Sequence, residues 1–137
     1  MMLTLEVATP LGLALRTEAE WVQAPSVRGE FGVLPGHLPL LAALKPGLLK
    51  YRAGGKDQVA AIRQGFVQAD PDRVLVLTQE LVQPADIDEK VARQELASTE
   101  DKLRAHKGAT EDADYKELEH DLAWSVAKLE AIIAAQK

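Results

Sequence analysis

Residues 29–47 read G-E-F-G-V-L-P-G-H-L-P-L-L-A-A-L-K-P-G, with four glycines, three prolines and one histidine set into an otherwise apolar run. Glycine opens backbone conformations closed to other residues, whereas proline fixes φ and removes an N–H. Their alternation therefore specifies a loop path rather than a repeating strand or helix. Among the apolar residues, Phe31, Val33, Leu34, Leu38, Leu40 and Leu41 are expected for the most part to fill a core. Glu30, Gly36 and His37, with Pro35 and Pro39 on either side of the last two, suit an exposed and rigid tip. A rigid loop loses little entropy on binding.

On both sides of this stretch, up to about Glu80, the apolar pattern has period two. Leu3, Leu5 and Val7 alternate with Thr4, Glu6 and Ala8; short apolar runs follow at Trp21-Val22, Leu48–Tyr51, Val59–Ile62, Phe66-Val67 and Val74–Leu77. Turn chemistry separates them at Pro10-Leu11-Gly12, Ala53-Gly54-Gly55-Lys56 and Asp70-Pro71-Asp72. Short strands at this spacing predict a sandwich or barrel.

After Pro84 the period becomes helical, with neither Gly nor Pro between Ala85 and Lys107. Asp86, three residues before Glu89, predicts a capping-box start to a helix over Ile87–His106, and Gly108 is placed to stop it. Thr110 or Asp112 can cap a second helix. Its Tyr115, Leu118, Leu122, Val126, Leu129 and Ile133 recur every three or four residues, a stripe that must be buried. The first helix offers only Ala92, Leu96, Thr99 and Leu103, so the pair reads as a small-residue antiparallel hairpin, less firmly held than the strands. Burial yields about 25 cal/mol per Å², and alanine contacts bury little. The chain thus divides into a strand region, 1–84, and a helical hairpin, 85–137.

Composition excludes several functions. There is no Cys, hence no disulfide and no thiolate site; the net charge of −5 and absence of a basic stripe oppose nucleic-acid binding. The uncharged run Phe31–Leu44 is well short of the roughly 20 apolar residues of a membrane span, so no direct insertion is expected. The N-terminus has no basic n-region and carries Glu6, which predicts no signal peptide. Catalysis would need partners for His37, and no nucleophile elbow, H-E-x-x-H pair or phosphate loop is present. With His106 and His120 lacking matched spacing, no metal site is expected; the acids at 111, 112 and 114 read as helix N-terminal charge, and Trp124 as packing.

The 29–47 stretch, with R-Q-G-F-V-Q at 63–68, the Ile87-Asp88 helix start, D-A-D-Y at 112–115 and L-A-W-S-V-A-K-L-E-A-I at 122–132, closely resembles the epsilon subunit of bacterial F-type ATP synthases. The likeness spans essentially the whole chain and extends to the related mitochondrial delta subunit. It implies an α+β, mainly β fold: a flattened ten-stranded β-sandwich followed by a two-helix hairpin. It further implies a noncatalytic rotor subunit without cofactor, peripheral on the cytoplasmic side of the cell membrane, coupling proton flow to ATP synthesis. The sandwich would contact the gamma subunit and the c-ring, with Glu30, Gly36 and His37 at the c-ring contact; Arg28, where an acid or polar residue is common in the family, is placed by its position alone to pair with an acid on either partner. The hairpin would be regulatory, permissive when folded and inhibitory to ATP hydrolysis when extended along gamma toward the alpha and beta subunits.

Three departures qualify these implications. Members of the resembled family that bind ATP in the hairpin carry I/L-D-x-x-R-A, whereas Val91 stands here at the Arg position, and Ser98, Glu117 and Trp124 stand at further basic positions. Lost guanidinium groups remove charge-assisted contacts to a triphosphate, leaving Asp88 and Arg93 as the candidates for a nucleotide site expected to bind weakly or not at all. The second helix also sets Glu117, Glu119, Asp121 and Glu130 against Lys116, Lys128 and Lys137, which predicts a weak grip on acidic partner loops. Finally, Gln64-Gly65 stands where Gly-Gly is frequent.

Overall fold

The computed structural model describes residues 1–136. Ten strands come first: β1 (Leu3–Thr9), β2 (Gly12–Ala19), β3 (Val22–Ser26), β4 (Gly29–Val33), β5 (Leu40–Leu44), β6 (Gly47–Ala53), β7 (Lys56–Ile62), β8 (Gly65–Asp70), β9 (Arg73–Thr78) and β10 (Leu81–Val82). A 3₁₀ turn at Pro84–Asp86 leads to α1 (Glu89–Ala105) and α2 (Ala113–Ala135). The fold is α+β and mainly β.

The strands run in the order β10-β7-β6-β3-β5-β8-β9-β1-β2, with β4 added to the free edge of β3. β3 bridges two layers, pairing with β6 at Val22 and Gln23 and with β5 at Ser26. All pairings are antiparallel except β1 with β9. The parallel pair places the N-terminal strand deep in the layer, beside a strand whose paired residues, Arg73 with Thr4 to Leu77 with Ala8, come 69 positions later in the chain. Period-two alternation then does what it predicts: Leu3, Leu5 and Val7 point inward and are fully buried with Val22, Leu49, Ile62, Val67, Val74 and Val76.

The Gly/Pro stretch is more regular than its composition implies. Besides a loop it contains β4, β5 and the start of β6. β4 tolerates Gly29 and Gly32 because it is an edge strand paired only with β3, and Pro35 and Pro39 lie outside any strand. Its apolar residues also divide differently: Val33 is buried and Phe31 and Leu40 pack on the core, but Leu34, Leu38 and Leu41 are exposed. β2 was absent from the strand pattern because its Leu13, Ala14 and Leu15 are consecutive and break the alternation.

The hairpin boundaries shift as well. Asp88, not Asp86, caps α1, its carboxylate accepting the Val91 N–H at 3.2 Å. Asp86 belongs to the 3₁₀ turn. α1 is closed by His106 at its C-cap, and Gly108 follows in the interhelical turn, where a Cβ would meet only the ends of the Asp112 and His106 side chains, which can move aside. Asp112 takes the N-cap position of α2.

α2 lies on β7 and β6, and α1 packs on α2. The face of α2 against the sheet is Trp124, Ala127 and Ala131, which form a second small core with Ala61, Leu48, Val82 and Ile87. At about 100° per residue, this face is opposite the Tyr115–Ile133 stripe. That stripe is therefore not what the sheet covers. Tyr115, Leu118, Leu122 and Leu129 are half-buried, and Val126 and Ile133 are exposed.

Two consequences can be measured. A Cβ at Gly65 would lie 1.8 Å from the Leu77 carbonyl oxygen, backbone that cannot yield within a paired strand, so Gly65→Ala is expected to cost at least about 2 kcal/mol, read as a lower urea midpoint at unchanged slope. Burial pushes the Tyr51 phenol above its ordinary value of 10.0, partly offset by a hydrogen bond with the Gln83 side chain. A phenol with a raised folded pKa stabilises the fold below the unfolded value and loses that contribution as pH rises through the folded one. Stability should thus fall above about pH 10, and Tyr51→Phe should flatten that limb relative to wild type.

Candidate functional site

Strand alternation determines which side chains the sandwich presents outward. In the layer β5-β8-β9-β1-β2, the inward positions Val67, Val76 and Val7 belong to the core. One residue out of phase, the register lines up Ala43, Phe66, Leu77, Ala8 and Leu13 directly across five strands. Phe66 is 56% exposed, Leu77 48% and Leu13 59%. Apolar side chains are normal singly on a surface, but a contiguous row marks a place where another molecule sits. Val27, also exposed, lies beyond Ala43, whose carbonyl accepts the Val27 N–H at 3.0 Å.

Toward the other end of the strands the outer face turns polar. The next row reads Leu41, Gln68, Leu75, Glu6 and Arg16, with Arg73 Nη2 2.6 Å from Glu6 Oε1. At the apolar end, a hollow of about 310 Å³ is lined by Thr9, Pro10, Gln64, Phe66, Leu77 and Gln79, among others. The row went unread in the sequence, although a signal existed. Val74-Leu75-Val76-Leu77 is apolar in both phases, the pattern of a strand covered on both faces.

The residues singled out by sequence do not form one tip. Arg28 lies on the β3–β4 turn, braced by Ser26 Oγ, which donates to the Gly29 carbonyl at 2.6 Å and accepts the Arg28 N–H at 3.1 Å. Glu30 is outward on β4, and its carboxylate accepts from the Gln23 amide. Gly36 and His37 lie past the far end of β4, whose course from Glu30 to Val33 alone spans about 10 Å. There the Gly36 N–H donates to the Pro71 carbonyl at 2.6 Å and the His37 N–H to the Leu34 carbonyl at 3.1 Å, tying the loop to the β8–β9 turn. Gly36 has φ 86°, in the left-handed region. Leu34 and Leu38 flank His37, and Leu38 is 79% exposed. The loop is thus tied down by two backbone bonds; Gly36 is exposed but His37 is half-buried, and the outward surface is more apolar than expected.

The hairpin carries a different constellation. Between α1, α2 and the β7–β8 connection lies a groove of about 640 Å³ lined by Arg63, Lys102 and Lys128 and by Glu80, Glu95 and Asp121, with Ser98 and Thr99. Asp88 and Arg93 are not among its walls: Asp88 is spent on the cap of α1, and Arg93 Nε is 3.3 Å from Glu89. Trp124 is 5% exposed, as a packing residue should be. Lys137 lies outside the described residues. Among the described residues, no group of three or more His, Cys, Asp or Glu is placed to hold a metal ion, and no helix is long and apolar enough to cross a membrane.

Comparison with known proteins agrees with this architecture. Residues 2–84 match the family model of the beta-sandwich domain of the ATP synthase delta/epsilon chain. The ATP synthase epsilon chain of Halalkalibacterium halodurans is 33% identical over 128 residues, covering 93% of this chain and 95% of that one. That of Nitratidesulfovibrio vulgaris strain Miyazaki F is 42% identical over 91 residues, 66% of this chain and 68% of the relative. A chain in the mitochondrial ATP synthase structure of Euglena gracilis superposes with a TM-score of 0.79 at 24% identity, over 99% of this chain and 82% of its own length. At that identity the last likeness speaks for the fold alone.

Proposed function

The chain belongs to the family of ATP synthase epsilon chains, and we propose that it is a noncatalytic subunit of the central stalk, joining gamma to the c-ring so that proton-driven rotation is coupled to ATP synthesis. It would be a peripheral component on the cytoplasmic side of the cell membrane. The sandwich at 1–84 is the coupling part and the hairpin at 85–137 the regulatory one.

The observation that carries this reading is the outer row Ala43, Phe66, Leu77, Ala8 and Leu13. A face built on paired strands is stiff, and an apolar face with one aromatic at its centre suits a permanent protein partner better than a small ligand. We assign gamma to this face. The c-ring falls to the 34–39 loop, where Leu34 and Leu38 project beside the half-buried His37 from a loop tied by the Gly36–Pro71 hydrogen bond. Slack there would dissipate torque. Glu30 and Arg28, farther along β4, would extend that contact or reach gamma. The Tyr115–Ile133 stripe supports a second position for the hairpin toward gamma, alpha and beta, since Val126 and Ile133 have no cover in the docked one.

Phe66→Asp would place a charge in the centre of a dry contact. Binding to gamma from the same organism is expected to weaken at least 100-fold at unchanged melting temperature; unchanged affinity would remove gamma from this face. Ending the chain after Gln83 should leave gamma binding intact and raise ATP hydrolysis by the reconstituted enzyme, and equal rates would mean that the hairpin is no brake.

A further inference from the structure

Arg63 is fixed to the sandwich before its side chain does anything. Its N–H donates to the Glu80 carbonyl at 3.0 Å, and its own carbonyl accepts from the buried Thr78 hydroxyl at 2.7 Å. From this base the guanidinium reaches α2, where Nη2 lies 2.6 Å from Asp121 Oδ1 and the group stands 5.5 Å from the centre of the Trp124 ring. Lys128 brings a second cation to the same ring at 5.4 Å, and its Nζ is 3.0 Å from Glu95 Oε2 of α1. Sheet, α2 and α1 thus converge on one indole. The pairs span 58 and 33 residues of sequence, so they report tertiary docking and not local helix stability.

We propose that Arg63, Asp121, Trp124, Lys128 and Glu95 form a latch that sets the fraction of hairpin docked on the sandwich, and that ionic strength tunes it. The proposal rests on the reading that the hairpin has a second position. Its share in docking is large because the contact beneath it is shallow: apart from Trp124, α2 offers only Ala127 and Ala131 to Ala61 and the half-buried Leu48 and Val82 of the sheet. A desolvated cation over tryptophan is worth more than an exposed ion pair, and the Arg63 and Lys128 side chains are only 25% and 12% exposed. Each of these two groove cations already has a carboxylate from the chain itself, Asp121 for Arg63 and Glu95 for Lys128. Releasing the hairpin from the sandwich breaks the Arg63–Asp121 pair and takes Arg63 off the indole, whereas Lys128–Glu95 lies within the hairpin and holds α1 on α2, so salt acts on docking chiefly through the Arg63 pair.

The test uses the full chain carrying Trp21→Phe, which leaves Trp124 as the single tryptophan reporter. Acrylamide quenching of its fluorescence is followed from 0.05 to 1 M KCl, with circular dichroism to verify the sheet. Quenching should rise several-fold with salt. Arg63→Gln should raise it at low salt and abolish most of the salt dependence, and Arg63→Asp with Asp121→Arg should return it toward the parent value. Adding 5 mM ATP should change neither. Trypsin cleavage within α2 of the unsubstituted chain, faster after Arg63→Gln alone, gives the same readout without Trp21→Phe. Parent-like quenching and cleavage in Arg63→Gln would overturn the proposal, as would ATP-driven protection of Trp124. No partner is present, so failure here is distinct from failure of the gamma and c-ring assignment.

Discussion

Leu3, Leu5 and Val7 of β1 have no exposure to solvent, and the rest of the molecule is arranged around their burial. They project between the two layers toward a core that also takes in Val22, Leu49, Ile62, Val67, Val74 and Val76. Truncating one such residue to alanine typically costs about 2–5 kcal/mol, a large part of the stability of a domain this size. Because the core is satisfied entirely between the layers, each layer has an outer face left to dispose of. The two outer faces meet different fates. On the β6–β7 side, Leu48, Ala61 and Val82 are covered by the chain's own α2. On the β8–β9 side, Phe66, Leu77 and Leu13 are left open. The proposed function rests on that asymmetry, one face covered by the hairpin and the other open.

Much of this was legible in the sequence, for reasons that differ by element. β1, β6, β7 and β9 could be read because their alternation or apolar run is strong, and the Gly54-Gly55 turn because both residues take positive φ, 60° and 74°, as a two-residue hairpin requires. β4 and β5 were hidden by their glycines and flanking prolines, whose cost is small at an edge strand or just outside one. The α2 stripe misled because leucine spacing dominates a helical pattern, whereas the face that docks is alanine and one tryptophan, residues whose periodicity carries little weight. Which outer face is exposed is a matter of tertiary pairing. No reading of β8 alone can tell whether Phe66 or Val67 faces the core.

The separation of Arg28 and Glu30 from His37 is instructive in the same way. Glu30 and His37 belong to one nineteen-residue motif that Arg28 immediately precedes, but β4 runs toward His37 and pairing with β3 holds it straight. The motif therefore presents surfaces at both ends of the sandwich. Its rigidity comes from specific backbone bonds, Gly36 to Pro71 at one end and the Ser26 bracing at the other.

The central claim is that the two apolar contacts differ in kind: a deep aliphatic seam that defines the fold, and a shallow alanine and tryptophan contact that can open without it. Native-state hydrogen exchange across low denaturant concentrations measures this directly. Amides of β1, β8 and β9 are predicted to exchange only through global unfolding. Amides of α2 near Trp124 and Ala127 should exchange through a separate opening of lower free energy and smaller denaturant dependence. Equal protection of α2 and the sheet, following one common denaturant dependence, would contradict the account.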